Sequence, residues 1–136
     1  MQILMPAIAL VAVTFVVWCW MYFTRLRFIQ EHRIDPNSIA TREQADVQLG
    51  PVAGPSDNFR NLLEMPVLFY ALIILLLDTG HASQGFVSAA WAFVGLRTLH
   101  SAIHCTYNDV LHRFTVYALS SLLLWGMWAV FALQVM

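Results

Sequence analysis

Apolar residues fall in four long runs separated by polar stretches. Residues 3–23 and 114–136 carry no charge from end to end. The two runs between them are polar at one end only: 59–77 is interrupted by Arg60, Asn61 and Glu64 near its start, and 83–103 by Arg97 and His100 near its close. A bilayer core is crossed by about 20 mostly apolar residues in a helix. The pattern therefore predicts one all-α domain, an integral membrane four-helix bundle with spans over about 3–27, 58–78, 83–106 and 110–135.

The connections agree with this division. "LDTGHASQ" (77–84) offers Gly80 as a helix terminator and Ser83 as a cap, and is short enough to force an antiparallel pair. Residues 28–57 form a long polar loop with turn formers in "DPNS" and "LGPVAGPSDN". Pro66 lacks an amide hydrogen and is expected to kink the second span. The opening run has neither a basic leader nor a small-residue cleavage site, and reads as a retained span.

Composition sharpens the picture. The chain is 60% hydrophobic and 11% charged, against roughly 25% charged in a soluble domain. A net charge of −1 argues against nucleic acid as a partner, and all seven basic residues are arginine. Cys19 and Cys105 have no disulfide or metal spacing, and Cys19 is expected to be a packing residue. Arg25, Arg27, Arg33, Arg42 and Arg60 belong to or flank the first loop, and Arg97 and Arg113 the third, while the second has none. By the positive-inside rule loops one and three face the cytoplasm, with both termini on the outer side of the membrane.

The polar residues within the spans share a depth. Arg97, His100, Ser101 and His104 lie at i, i+3, i+4 and i+7, one stripe of a helix. Arg60 and Glu64 are one turn apart at the same level, where Arg25 and Arg27 end the first span and Arg113 and Tyr117 begin the fourth. Intramembrane ionisable groups cost a few kcal/mol or more and face protein, a partner charge or a water-filled cavity. Arg25 and Arg27 can be interfacial anchors, and Arg60 with Glu64 can be an i,i+4 ion pair. Arg97 has no acidic residue within a turn of it and needs a carboxylate from another helix or a ligand, with Glu64 the obvious protein candidate. His100 and His104 have a spacing that can grip a metal, with Asp109, His112 or Cys105 as the only evident third ligands.

Two motifs carry a resemblance. "FRNLLEMPVLFY" (59–70) is similar to an R-N-x-x-E motif leading into an apolar helix with proline, and "RTLHSAIH" (97–104) is followed by Arg113, sixteen residues after Arg97, and Tyr117. In this order, within four spans, the chain resembles a bacterial member of the MAPEG family, the membrane-associated proteins in eicosanoid and glutathione metabolism. The resemblance implies a homotrimer of four-helix protomers that binds glutathione between protomers, open to the cytoplasm. By position it implies glutathione contacts at Arg25, Arg60, Asn61, Glu64, His100 and Tyr117, with Arg97 and His104 in the same stripe, and thiolate stabilisation by Arg113. Phe114 stands where prostaglandin-synthase-like members have serine, and "PSDN" (55–58) where they have further basic residues, which argues against isomerase activity.

The resemblance thus implies a glutathione-dependent transferase or peroxidase, with glutathione or a similar acidic thiol as cosubstrate and a small lipophilic electrophile arriving from the bilayer. Its rivals are a non-catalytic trimer of the same fold, and a metal- or haem-binding membrane protein using His100 and His104.

Overall fold

Six helices build the chain in the computed structural model, which describes residues 2–136. They are α1 (Leu4–Glu31), α2 (Arg42–Gln48), α3 (Ala53–Leu62), α4 (Met65–Asp78), α5 (Gln84–Cys105) and α6 (Val110–Val135). No strand occurs among the described residues. Four helical stretches are long and apolar enough to cross a membrane: Leu4–Glu31, Gly50–Asp78, Gln84–Cys105 and Val110–Val135.

The second stretch differs from expectation in a way that matters later. Pro66 does not kink a continuous helix. The helix stops at Leu62, Glu64 leaves helical geometry with φ −96° and ψ −93°, and α4 restarts with Pro66 in its first turn. Proline is tolerated there, since first-turn amides have no helical acceptor anyway.

The first loop is more structured than its turn formers suggest. α1 runs on to Glu31 and closes with Arg33 in the left-handed region and the Ile34 amide donating to the Ile29 carbonyl at 3.0 Å, the six-to-one bond of a Schellman ending. Asp35 caps a 3-10 turn at Pro36–Ile39. Thr41 and Gln44 then form a reciprocal capping box that starts α2.

Packing puts α5 in the centre, against α1, α3 and α6. Leu10 and Val17 of α1, Phe69 and Leu72 of α4, Phe86 and Phe93 of α5, and Leu124 and Phe131 of α6 form one buried cluster. Phe69 and Phe93 stack with ring centroids 4.6 Å apart. Phe15, Val16, Leu122 and Leu133 instead face outward, each more than 60% exposed. Such a surface suits lipid and not water. Cys19 is on it too, exposed and not packed inside as expected. Because α5 is enclosed by its neighbours, its polar stripe is carried into the protein: Arg97 is 0% exposed, His100 1% and His104 3%.

Candidate functional site

A cleft of about 490 Å³ opens between α3, α5 and α6. α3 supplies Asp57, Arg60 and Asn61, with Glu64 just beyond it; α5 supplies His100 and His104. Val110, Arg113, Phe114 and Tyr117 come from one face of α6, and Arg42 reaches in from α2. Seven of the nine residues singled out from the sequence therefore line one cavity.

The other two sit elsewhere. Arg97 lies buried beside the cleft, where its Nη2 donates to the Asn61 carbonyl at 2.7 Å and its guanidinium carbon is 5.2 Å from the Tyr117 ring centroid. Arg25 does not line the cleft; its Nη2 donates to Ser56 Oγ at 2.9 Å, tying α1 to α3.

The helix break explains why Arg97 does not meet Glu64, its expected partner. The last carbonyls of a helix lack intrahelical donors and carry the negative end of the dipole. Ending α3 at Leu62 leaves the Asn61 carbonyl free to accept from Arg97, while Glu64 is exposed and, among the described residues, in no ion pair. The i,i+4 pair of Arg60 with Glu64 is absent for the same reason. Arg60 instead meets Asp46 of α2 and Asp57 of α3, each at 3.5 Å.

The histidines have defined hydrogen-bonding roles. His104 Nδ1 is 2.9 Å from the Gly54 carbonyl, and His100 Nδ1 is 3.1 Å from the Arg113 carbonyl. A carbonyl only accepts, so both Nδ1 atoms donate, which leaves each Nε2 as an acceptor. His104 Nε2 accepts from Arg113 Nη1 at 3.1 Å. His100 Nε2 is buried without a partner, as are Nε and Nη1 of Arg97. A guanidinium sits on His104 Nε2, and no group of three metal-binding side chains occurs among the described residues.

Arg113 is held differently from Arg60. Its Nη1 donates to His104 and also to Asn108 Oδ1 at 2.8 Å. Both partners are uncharged. Nε and Nη2 of Arg113 meet no protein acceptor among the described residues. The cleft thus holds two arginines paired with carboxylates, Arg42 and Arg60, and a third, Arg113, in no ion pair among the described residues, with the buried Arg97, likewise in no ion pair, behind it.

Several contributors escape a reading of sequence spacing. Asn108 sits in the left-handed region with φ +49°, which asparagine tolerates better than most residues; the "YND" turn was the available signal. Asn58 is fully buried, donating to Cys105 Sγ at 3.5 Å and accepting from Ser101 Oγ at 3.3 Å. Gly54 lets α3 approach α5 so closely that a Cβ there would lie 2.8 Å from the His104 carbonyl oxygen. Asp46 and Arg42 come from a segment read as loop.

No curated protein and no solved structure matches the chain. The model of the MAPEG family matches residues 3–133, nearly the whole length. A multi-pass membrane protein with this match, and with its polar residues gathered in one cleft between the spans, belongs to the MAPEG family.

Proposed function

We propose that the cleft binds glutathione and that Arg113 holds its sulfur as the thiolate, for transfer to, or reduction of, a lipophilic electrophile. The observation that carries this reading is the uncompensated Arg113 guanidinium at the edge of a cavity that also holds Arg60, Asn61 and Glu64. Glutathione has two carboxylates, an ammonium and a thiol. Arg60 and Arg42 suit the carboxylates, Glu64 the ammonium and Arg113 the sulfur, with charge-assisted hydrogen bonds the strong kind. Arg97, buried behind Asn61 and Tyr117, adds positive potential without touching the cavity surface.

The thiolate is the nucleophile, and a free thiol has a pKa of about 8.5. Lowering it by about two units asks for about 2.7 kcal/mol. One guanidinium contact in a partly dry site, aided by the N-terminal dipole of α6, is of the right size. In conjugation the sulfur lone pair forms the new S–C bond and the electrons of the broken bond depart with the leaving group. Val110 and Phe114 flank Arg113 on the same face of α6 and suit an apolar acceptor delivered from the bilayer. We place the cleft on the cytoplasmic side of the inner membrane, in a homotrimer. In such a trimer Arg25, which lies off the cleft of its own chain, would have to leave Ser56 to reach a neighbouring protomer's glutathione.

The second reading, a non-catalytic trimer held together by its polar residues, draws support from Arg60, whose charge is already met by Asp46 and Asp57. One experiment separates the two. Glutathione added to the detergent-solubilised protein should raise its melting temperature, by about 2.7 kcal/mol of stabilisation at a hundred times Kd, and should show thiolate absorbance. Arg113→Ala should abolish the absorbance with the oligomer intact. Dissociation of the oligomer, or no shift with millimolar glutathione, would refute the enzymatic reading.

A further inference from the structure

The manner in which Arg113 is held suggests how its charge is kept available. Arg27 pairs with Glu31, Arg42 with Asp46, and Arg60 with Asp46 and Asp57. Arg113 is anchored at Nη1 alone, by the amide oxygen of Asn108 and the imidazole of His104. We propose that Asn108, with His104, is a positioning residue that fixes the Arg113 guanidinium through neutral acceptors so that its full charge faces the anionic sulfur. This rests on the function proposed above.

Both anchors are themselves held in place. The Asn108 amide donates to the Ile103 carbonyl at 2.8 Å, closing the end of α5, and the left-handed backbone of Asn108 accompanies a side chain that reaches Arg113. His104 presents its Nε2 lone pair because its Nδ1 hydrogen is committed to Gly54. Both hydrogens of Arg113 Nη1 are thereby used, and Nε and Nη2 remain for a ligand. The residue order matters. Asp109, next in the chain, places its carboxylate on the His112 amide at 2.9 Å, capping α6. The carboxylate caps the helix and the amide holds the arginine; exchanging the two roles would bind Arg113 more tightly and cancel its charge.

Asn108→Asp tests this directly. Aspartate keeps the size, the acceptor oxygen and the tolerance of left-handed geometry, and adds only the charge. With glutathione bound to the full-length protein in detergent, the midpoint of the thiolate absorbance against pH should rise by about one unit. The conjugation rate with a nitrohaloarene below that midpoint should then fall about tenfold, with the melting temperature kept or raised. Asn108→Ala, which removes the anchor without adding charge, should lower the rate less. A role in folding alone predicts the opposite order, with alanine the more harmful. An unchanged midpoint in Asn108→Asp, or equal losses in the two variants, overturns the inference and leaves the proposed function standing. No glutathione signal in the unsubstituted protein overturns both. If Asn108→Asp does not fold, His104→Glu against His104→Gln makes the same comparison with the same expectation.

Discussion

Replacing Gly54 with alanine sets two effects against each other, and their magnitudes decide the sign. By helix propensity alone the change is favourable, by up to about 0.8–1.0 kcal/mol in a helix interior and less here, because Gly54 is in the first turn of α3. Against that, the new Cβ would lie 2.8 Å from the His104 carbonyl oxygen. The obstacle is backbone of a buried helix, so α3 itself must move. Overpacking of this kind costs about 1–3 kcal/mol. The displacement also strains the 2.9 Å bond from His104 Nδ1 to the Gly54 carbonyl, a neutral hydrogen bond contributing about 0.5–1.5 kcal/mol. The clash wins, and Gly54→Ala should be destabilised by about 1–3 kcal/mol. Because the strained bond sets the tautomer of His104, and His104 anchors Arg113, the damage should extend to the cleft. Thermal melts in detergent with and without glutathione read both effects: a lower melting temperature alone, and a smaller rise on adding ligand. An unchanged or raised melting temperature with undiminished ligand response would refute the reasoning, since it would mean that α3 is not pressed against the end of α5.

Three further outcomes are expected. Arg97→Met removes a buried cation that is in no ion pair among the described residues, and exchanging buried charge for an apolar side chain is often neutral or stabilising; melting should be unchanged or higher while calorimetry shows weaker glutathione binding, and a large loss of stability would show that the bond to the Asn61 carbonyl and the more distant Glu64 hold this charge well. Asp46→Ala frees Arg60 from one of its two carboxylates; the pair is partly exposed, so a gain of at most about 1 kcal/mol in glutathione affinity is expected, and weaker binding would show that α2 assists the ligand. The Asp109 carboxyl is held below the usual carboxylate range, chiefly by the His112 amide it accepts from. A carboxyl depressed in the folded state adds stability that is present above its unfolded pKa of about 3.9 and is lost as the pH falls through the folded value. Amide exchange at the start of α6 should therefore be faster in Asp109→Ala than in the parent at neutral pH, with the difference vanishing in acid; a difference that persists below the folded value would point to some other origin.

Much of this protein was legible along the chain. Four apolar runs of spanning length predict four spans, because lipid offers the backbone no hydrogen-bond partners and so demands uninterrupted apolar helix. The stripe Arg97, His100, Ser101 and His104 was visible from helical spacing, and Arg60, Asn61, Glu64, Arg113 and Tyr117 from their common depth. Depth follows from counting residues, and these are the residues that meet at the cleft, except Arg97, just behind it, and Ser101, which is engaged with Asn58. The family, too, was readable from two motifs in order.

Partners were not legible. Helical periodicity says which face of its own helix a side chain occupies, but not which group of a neighbouring helix arrives there. The expected bond from Arg97 to Glu64 gave way to the Asn61 carbonyl because Pro66 restarts the helix instead of bending it, a two-residue break that leaves Glu64 solvent-exposed at the cleft. Arg25 shares the depth of the cleft but is engaged with Ser56. Asn108 and Gly54 matter through a backbone torsion and an interhelical approach, and neither quantity has a period. Sequence alone determined which residues are apolar enough to span, and at what level the charges lie, since both depend on each helix separately against a uniform solvent. Tertiary structure decided which arginine is neutralised and which is left charged, because that depends on contacts between helices, where a displacement of an ångström makes or breaks a hydrogen bond.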